Sequence, residues 1–130
     1  MAIERASSQS PETLVSYYKA LTESEDSVSS SMGHQMLVLL PMLSEVCAGQ
    51  GVWGLTSLAH LWLLAVDDWT SPWLVSVTAL PGEGFRVRYR MPEAEAPWPD
   101  SVVEGQARDE GQACQLVAIG MGRSGGWATI

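Results

Sequence analysis

Cations are scarce in this chain. Seven Lys and Arg stand against fifteen Asp and Glu, a formal charge of −8. A molecule of that sign repels phosphate backbones and anionic headgroups, so neither nucleic acid nor a membrane surface is expected as its partner. Cysteine is scarcer still, with Cys47 and Cys114 alone. There is no CxxC spacing for a structural metal. Both lie among apolar residues, where a thiol acts as a small hydrophobe, so two reduced and buried side chains are expected rather than a disulfide. Long apolar runs are missing too. Met36–Cys47 is broken by Pro41 and Glu45, and Val52–Val66 contains His60 and ends on Asp67-Asp68. A membrane span needs about 20 apolar residues. The opening MAIERASSQS has no apolar core region of the secretory kind. Together these absences predict a cytoplasmic protein in which both apolar runs are core helices.

The catalytic repertoire is equally thin. GxSxG, HExxH and P-loop patterns do not occur, and the two histidines have no triad spacing. No catalytic residue and no cofactor is assigned, and the reading leans away from an enzyme. His60, Asp67 and Asp68 would share one face of a regular helix. One histidine and two carboxylates are too few for a metal centre, which needs three or four ligands and supporting hydrogen bonds. No metal is expected there.

At 130 residues the chain reads as one domain, 1–130, with residues 1–9 flexible. Pro11–Thr22 carries Leu14, Tyr17, Tyr18 and Leu21 at helical spacing, with Ser10 as its cap. The serine-rich 23–31 reads as a polar linker. A second helix is predicted over Met32–Ala48, apolar nearly all round between Met36 and Leu43, hence central, and kinked at Pro41. A third helix is predicted over Leu55–Asp68, burying Leu58, Leu61, Trp62 and Ala65. Then the period changes. WLVSVTAL, the turn PGEG and FRVRYR make a β-hairpin over 73–91. A proline-rich loop, Pro92–Asp100, leads to a strand at 101–107. A last helix is capped by Asp109, with Gln112 completing a capping box. The expected class is α+β: three N-terminal helices, a small antiparallel sheet of about three strands, and a C-terminal helix packed on one face.

Two features stand out against this background. FRVRYR places three of the seven cations, Arg86, Arg88 and Arg90, on one face of one strand, spaced about 6.6 Å apart. Phe85, Val87, Tyr89 and Met91 should face the helices. An exposed ion pair is worth only about 0–1 kcal/mol, so stability alone does not call for arginine there. A guanidinium row does suit carboxylates on a partner or on a second copy of the chain. The second feature is six tryptophans. Trp98, held as Pro97-Trp98-Pro99 beside the arginine strand, is the natural interface anchor, because its flanking prolines lower the entropy lost on binding. Aromatics and arginines are expected on opposite faces of the sheet, unlike an RNA-binding sheet.

Residues 1–70 carry eight acids and two cations, and residues 71–130 seven acids and five cations. The first half is the more acidic and suits a basic partner. The small size, acidity and lack of catalytic motifs fit bacterial inhibitor or immunity-type proteins in type. The resulting expectation is a non-enzymatic protein-binding module acting through the arginine face and the Trp98 loop, on a protein partner or on a second copy in a homo-oligomer. The alternative is a small-molecule-binding or catalytic pocket lined by tryptophans between helices and sheet, built from His60, Trp62, Asp67 and Asp68.

Overall fold

The computed structural model describes residues 1–9 and 11–127. Its elements are β1 (Ile3–Arg5), α1 (Leu14–Thr22), α2 (Ser27–Val46), β2 (Val52–Ser57), β3 (His60–Leu64), β4 (Val75–Leu80), β5 (Gly84–Arg90), β6 (Val102–Ala107) and α3 (Glu110–Arg123). The six strands form one sheet in chain order, β1-β2-β3-β4-β5-β6. β1 lies parallel to β2, and every other neighbour is antiparallel. The class is α+β, but two helices rather than three precede the main run of strands. The sheet has six strands, not three.

The largest correction concerns residues 52–64. The segment expected to be a third helix is the β2–β3 hairpin, closed by Leu58 and Ala59 between the paired Ser57 and His60. Its apolar residues are not confined to one helical stripe. Val52, Leu61 and Leu63 are buried on the helix side, and Leu64 is buried on the other. A run apolar on both faces has no visible period, and strand and buried helix then look alike. The turn lacks the usual glycine or asparagine, so it carries no hairpin signal. Leu58 instead takes φ 50°, a left-handed conformation, with its side chain exposed. Its N–H donates to the Tyr17 hydroxyl at 2.8 Å, which fixes the turn to α1. A left-handed leucine costs about 1–2 kcal/mol, and asparagine tolerates that region better. Leu58→Asn should therefore raise stability by about 0.5–1 kcal/mol in a urea denaturation curve.

Two N-terminal expectations also change. Ile3–Arg5 is a strand, not a flexible lead. The tract expected to be a linker is mostly helix, because Asp26 caps it. Its carboxylate accepts from the Val28 and Ser29 amides and from the Ser29 hydroxyl. Asp26 thereby starts α2 at Ser27, five residues before the expected start at Met32. Pro41 lies within α2. The predicted cap Ser10 lies outside the described residues. The described cap of α1 is Thr13, whose hydroxyl accepts from Ser16 N–H at 3.1 Å.

The remaining elements follow the sequence reading. β4 and β5 form the hairpin, β6 adds beside them, and Asp109 caps α3. The Asp109 carboxylate accepts from Gln112 N–H, and the Gln112 side chain accepts from Arg108 N–H, both at 2.8 Å.

The helices cover one face of the sheet. Leu14 and Tyr18 of α1, Met36, Leu39, Leu40 and Leu43 of α2, and Ala113, Val117 and Met121 of α3 close on Leu61, Leu63, Val75, Val77, Phe85 and Val87. At Gly33 the α1 backbone is so near that an added Cβ would lie 2.8 Å from Thr22 N. Cys47 and Cys114 are free and buried, and Cys47 Sγ lies 3.9 Å from Met121 Sδ. Burial pushes the Cys47 thiol up to about 12, with the neighbouring Cys114 adding to it. Trp127 is buried and donates from Nε1 to Gly51 O at 2.7 Å. Among the described residues no helix is long and apolar enough to cross a membrane.

Candidate functional site: the helix-free face of the sheet

Strand alternation decides what the opposite face displays. On β5, Phe85, Val87 and Tyr89 point to the helices, as expected, and Arg86, Arg88 and Arg90 point away. Pairing then fixes what lies beside each arginine. One row across the sheet reads His60, Thr78, Arg86, Gln106, and the next reads Leu55, Trp62, Ser76, Arg88, Glu104. A third contains Trp53 opposite Leu64. Tryptophans and arginines thus share one face. The expected separation holds for Phe85 and Tyr89 but not for Trp53 and Trp62, because residues 52–64 are strands that bring these two onto the arginine face.

The contacts bind these residues into one surface. His60 stacks on Trp62 with ring centroids 5.4 Å apart. The guanidinium carbons of Arg88 and Arg90 lie 5.5 and 4.9 Å from the Trp73 ring centroid, within cation–π range. Arg88 donates to Ser76 Oγ at 3.3 Å. Ser76 is wholly buried although no helix covers its face. Side chains on that face cover it, and its neighbours in the row are Trp62 and Arg88. The face is therefore a thin second layer of aromatic and guanidinium groups, not a row of fully hydrated charges.

The three arginines are not equivalent. Arg90 donates from Nε to Trp73 O at 3.0 Å and from Nη1 to Asp100 at 2.8 Å. It is a structural pin between two loops. Arg86 meets Glu104 at 3.8 Å, beyond hydrogen-bond distance, and its buried Nε has no hydrogen-bond acceptor among the described residues. No carboxylate of the described residues lies within ion-pair distance of Arg88. Arg86 and Arg88 thus retain donors that an incoming carboxylate can take.

His60 sits at the edge of the cationic region. Its Nδ1 is 2.7 Å from Thr78 Oγ1. Desolvation first, and the positive Arg88 and Arg86 after it, hold the ring below its usual pKa. The folded ring then stays neutral where the unfolded one takes a proton. The linked stability is present above about pH 6.5 and is lost as the pH falls through the lowered value. Thermal melts between neutral and mildly acidic pH should show this drop, and His60→Gln should lessen it.

Asp67 and Asp68 do not join His60. The strand geometry places them in the exposed β3–β4 loop. There Asp67 accepts from the Ser7 amide and hydroxyl, and Asp68 accepts from the Thr70 amide and hydroxyl. Among the described residues no three His, Cys, Asp or Glu side chains gather in a metal-holding group. The expected tryptophan-lined pocket between helices and sheet would need Trp62 on the helix side. Core side chains fill that space, and Trp62 is on the other face.

Trp98 is 69% exposed, and Trp69 is 63% exposed. The β3–β4 and β5–β6 loops that carry them leave the same end of the sheet. Beside Trp98 is a cavity of about 670 Å³, bordered by Pro72, Leu74, Arg90, Met91 and Ser124. The loop is held in shape by Ser101, whose hydroxyl donates to Trp98 O at 2.6 Å. Sequence reasoning found Trp98 and the arginines. It missed Trp53, Trp73, Ser76 and Thr78 as members of the face. The polar alternation in Val75-Ser76-Val77-Thr78 was the available signal for the last two.

Comparison with protein-family models, curated proteins and solved structures returned no match to this chain.

Proposed function

We propose that this chain is a non-enzymatic binding module that takes a protein segment on the helix-free face of its sheet. The observation that carries the reading is the continuity of indole and guanidinium groups there. Trp62, Trp73, Arg86 and Arg88 lie side by side, and Arg86 and Arg88 have donor capacity in reserve. Tryptophan and arginine are the residue types that most often dominate interface energies. The complementary segment is acidic and carries an apolar or aromatic residue, so that carboxylates meet Arg86 and Arg88 while the ring stacks on the tryptophans. Trp98 and Trp69 extend the contact at the loop end. The action as an inhibitor or immunity-type protein, and the cytoplasmic location, belong to this proposal too.

A displayed random-peptide library selected on the wild type tests it. Enriched peptides should be rich in Asp, Glu and aromatic residues. Arg86→Gln/Arg88→Gln should retain the wild-type melting temperature within the small range of surface substitutions and bind these peptides at least about tenfold more weakly, a loss of about 1.4 kcal/mol. Enrichment of peptides that bind the double variant equally well would refute the assignment.

A further inference from the structure

The two edges of the sheet are treated differently. β1 is three residues long, and its Arg5 is engaged by Glu12, Thr56 and Gln9. β6 runs six residues in unbroken register with β5, and it holds no lysine and no proline. Short strands, bulges, lysines and prolines are the usual guards of an open edge, and β6 has none of them. The direction of its amides follows from its neighbours. Arg90 N–H donates to Leu74 O on the β4 side, whereas Met91 N–H donates to Ser101 O on the β6 side. By alternation Val103, Gly105 and Ala107 bond inward to β5. Val102, Glu104 and Gln106 aim N–H and C=O outward, where no described residue pairs with them. Apolar groups flank this edge. Val102 is 41%, Val103 39% and Ile119 of α3 48% exposed.

We propose that this edge is occupied by β6 of a second copy, joined antiparallel about a two-fold axis at Gly105, so that the two sheets become continuous. The proposal is independent of what binds the helix-free face. Self-complementarity singles out the copy and the register. A two-fold at Glu104 would oppose two like carboxylates directly, which is destabilising. At Gly105, each Glu104 instead faces the partner's Gln106, with the partner's Arg108 on one diagonal. Glu104 and Gln106 then exchange four backbone hydrogen bonds across the axis, two per pair by the antiparallel rule. On the helix side Val103 meets the smaller Ala107 of the partner subunit. Leu116, which approaches the Cβ position of Gly105 to 3.3 Å, fills the space above the paired glycines. An isologous contact of this kind closes at two copies rather than growing into a filament.

Sedimentation equilibrium at tens of micromolar should give twice the 14.1 kDa chain mass. Gln106→Pro removes an outward amide that bonds nothing within the chain, so it should shift the protein to monomer with an unchanged melt. Val103→Lys should do the same by placing a charge at the seam. Gly105→Cys should give a reductant-sensitive covalent dimer, since a non-hydrogen-bonded pair with Cα atoms about 4.5 Å apart is within disulfide reach. A monomeric wild type at these concentrations overturns the proposal. So does a dimer that persists in both edge variants, and a dimer whose Gly105→Cys form does not crosslink overturns the register.

Discussion

Gly84→Ala should be severely destabilised, by about 2–5 kcal/mol, while Gly82→Ala, two residues away, should lose only about 1 kcal/mol. Both glycines have positive φ, 75° at Gly82 and 84° at Gly84. At Gly82 an added methyl meets nothing within 4 Å, so its loss is the backbone penalty alone. At Gly84 the same methyl would fall on the Ala107 carbonyl oxygen and lie 3.0 Å from the Arg108 backbone. Those atoms end β6 and lead into the Asp109 cap of α3, so they cannot yield without disturbing both elements. The Gly84 carbonyl also accepts from Gln35 Nε2 at 3.0 Å, which ties the turn to α2. Parallel urea denaturation of the two variants measures the difference. Equal losses would show that the close approach to Ala107 is absent in solution.

The second large effect concerns Arg90. Arg90→Gln should lower stability by about 2 kcal/mol, whereas Arg86→Gln should change it by less than about 0.5 kcal/mol. The three arginines look identical in FRVRYR. Their surroundings separate them. Arg90 bonds the Trp73 carbonyl, pairs with Asp100 and stacks on Trp73, so its loss leaves a partly buried carbonyl without a donor and loosens the Trp98 loop. Asp100 is mostly exposed, so its ion pair is heavily screened and the carbonyl bond supplies most of the effect. Among the described residues Arg86 has only the long approach to Glu104. Function at this face is therefore tested with Arg86 and Arg88 alone, since removing Arg90 confounds binding with folding.

The same contrast explains what was legible in the sequence. FRVRYR declared itself a strand because one of its faces is polar and the other buried. The 52–64 hairpin did not, because helices cover one side of it and the other side also carries apolar residues, Trp53, Leu55, Trp62 and Leu64. With Leu64 buried where a half-wet strand would show a polar residue, the alternation vanished. Its turn residue Leu58 takes a conformation that leucine seldom adopts, so no local chemistry announced it. β1 was invisible for a different reason: three residues hold it through parallel pairing with a strand nearly fifty positions away. The start of α2 was legible in principle, since Asp26 followed three residues later by Ser29 is a capping arrangement. The serine tract after it masked the signal. The site was read by halves: Trp62 was placed on a helix rather than beside the arginines, and Trp53 and Trp73 were not placed on the face at all.

The central claim is that a partner segment lies across the helix-free face between Trp62 and Arg88. Chemical-shift mapping on the isotope-labelled protein, titrated with a selected acidic-aromatic peptide, tests it most directly. The indole N–H signals of Trp62 and Trp73 and the amides of Ser76, Arg86 and Arg88 should move together, and added salt should weaken the response. Shifts confined to α1 and α2, with the Trp62 and Trp73 signals unmoved, would contradict it.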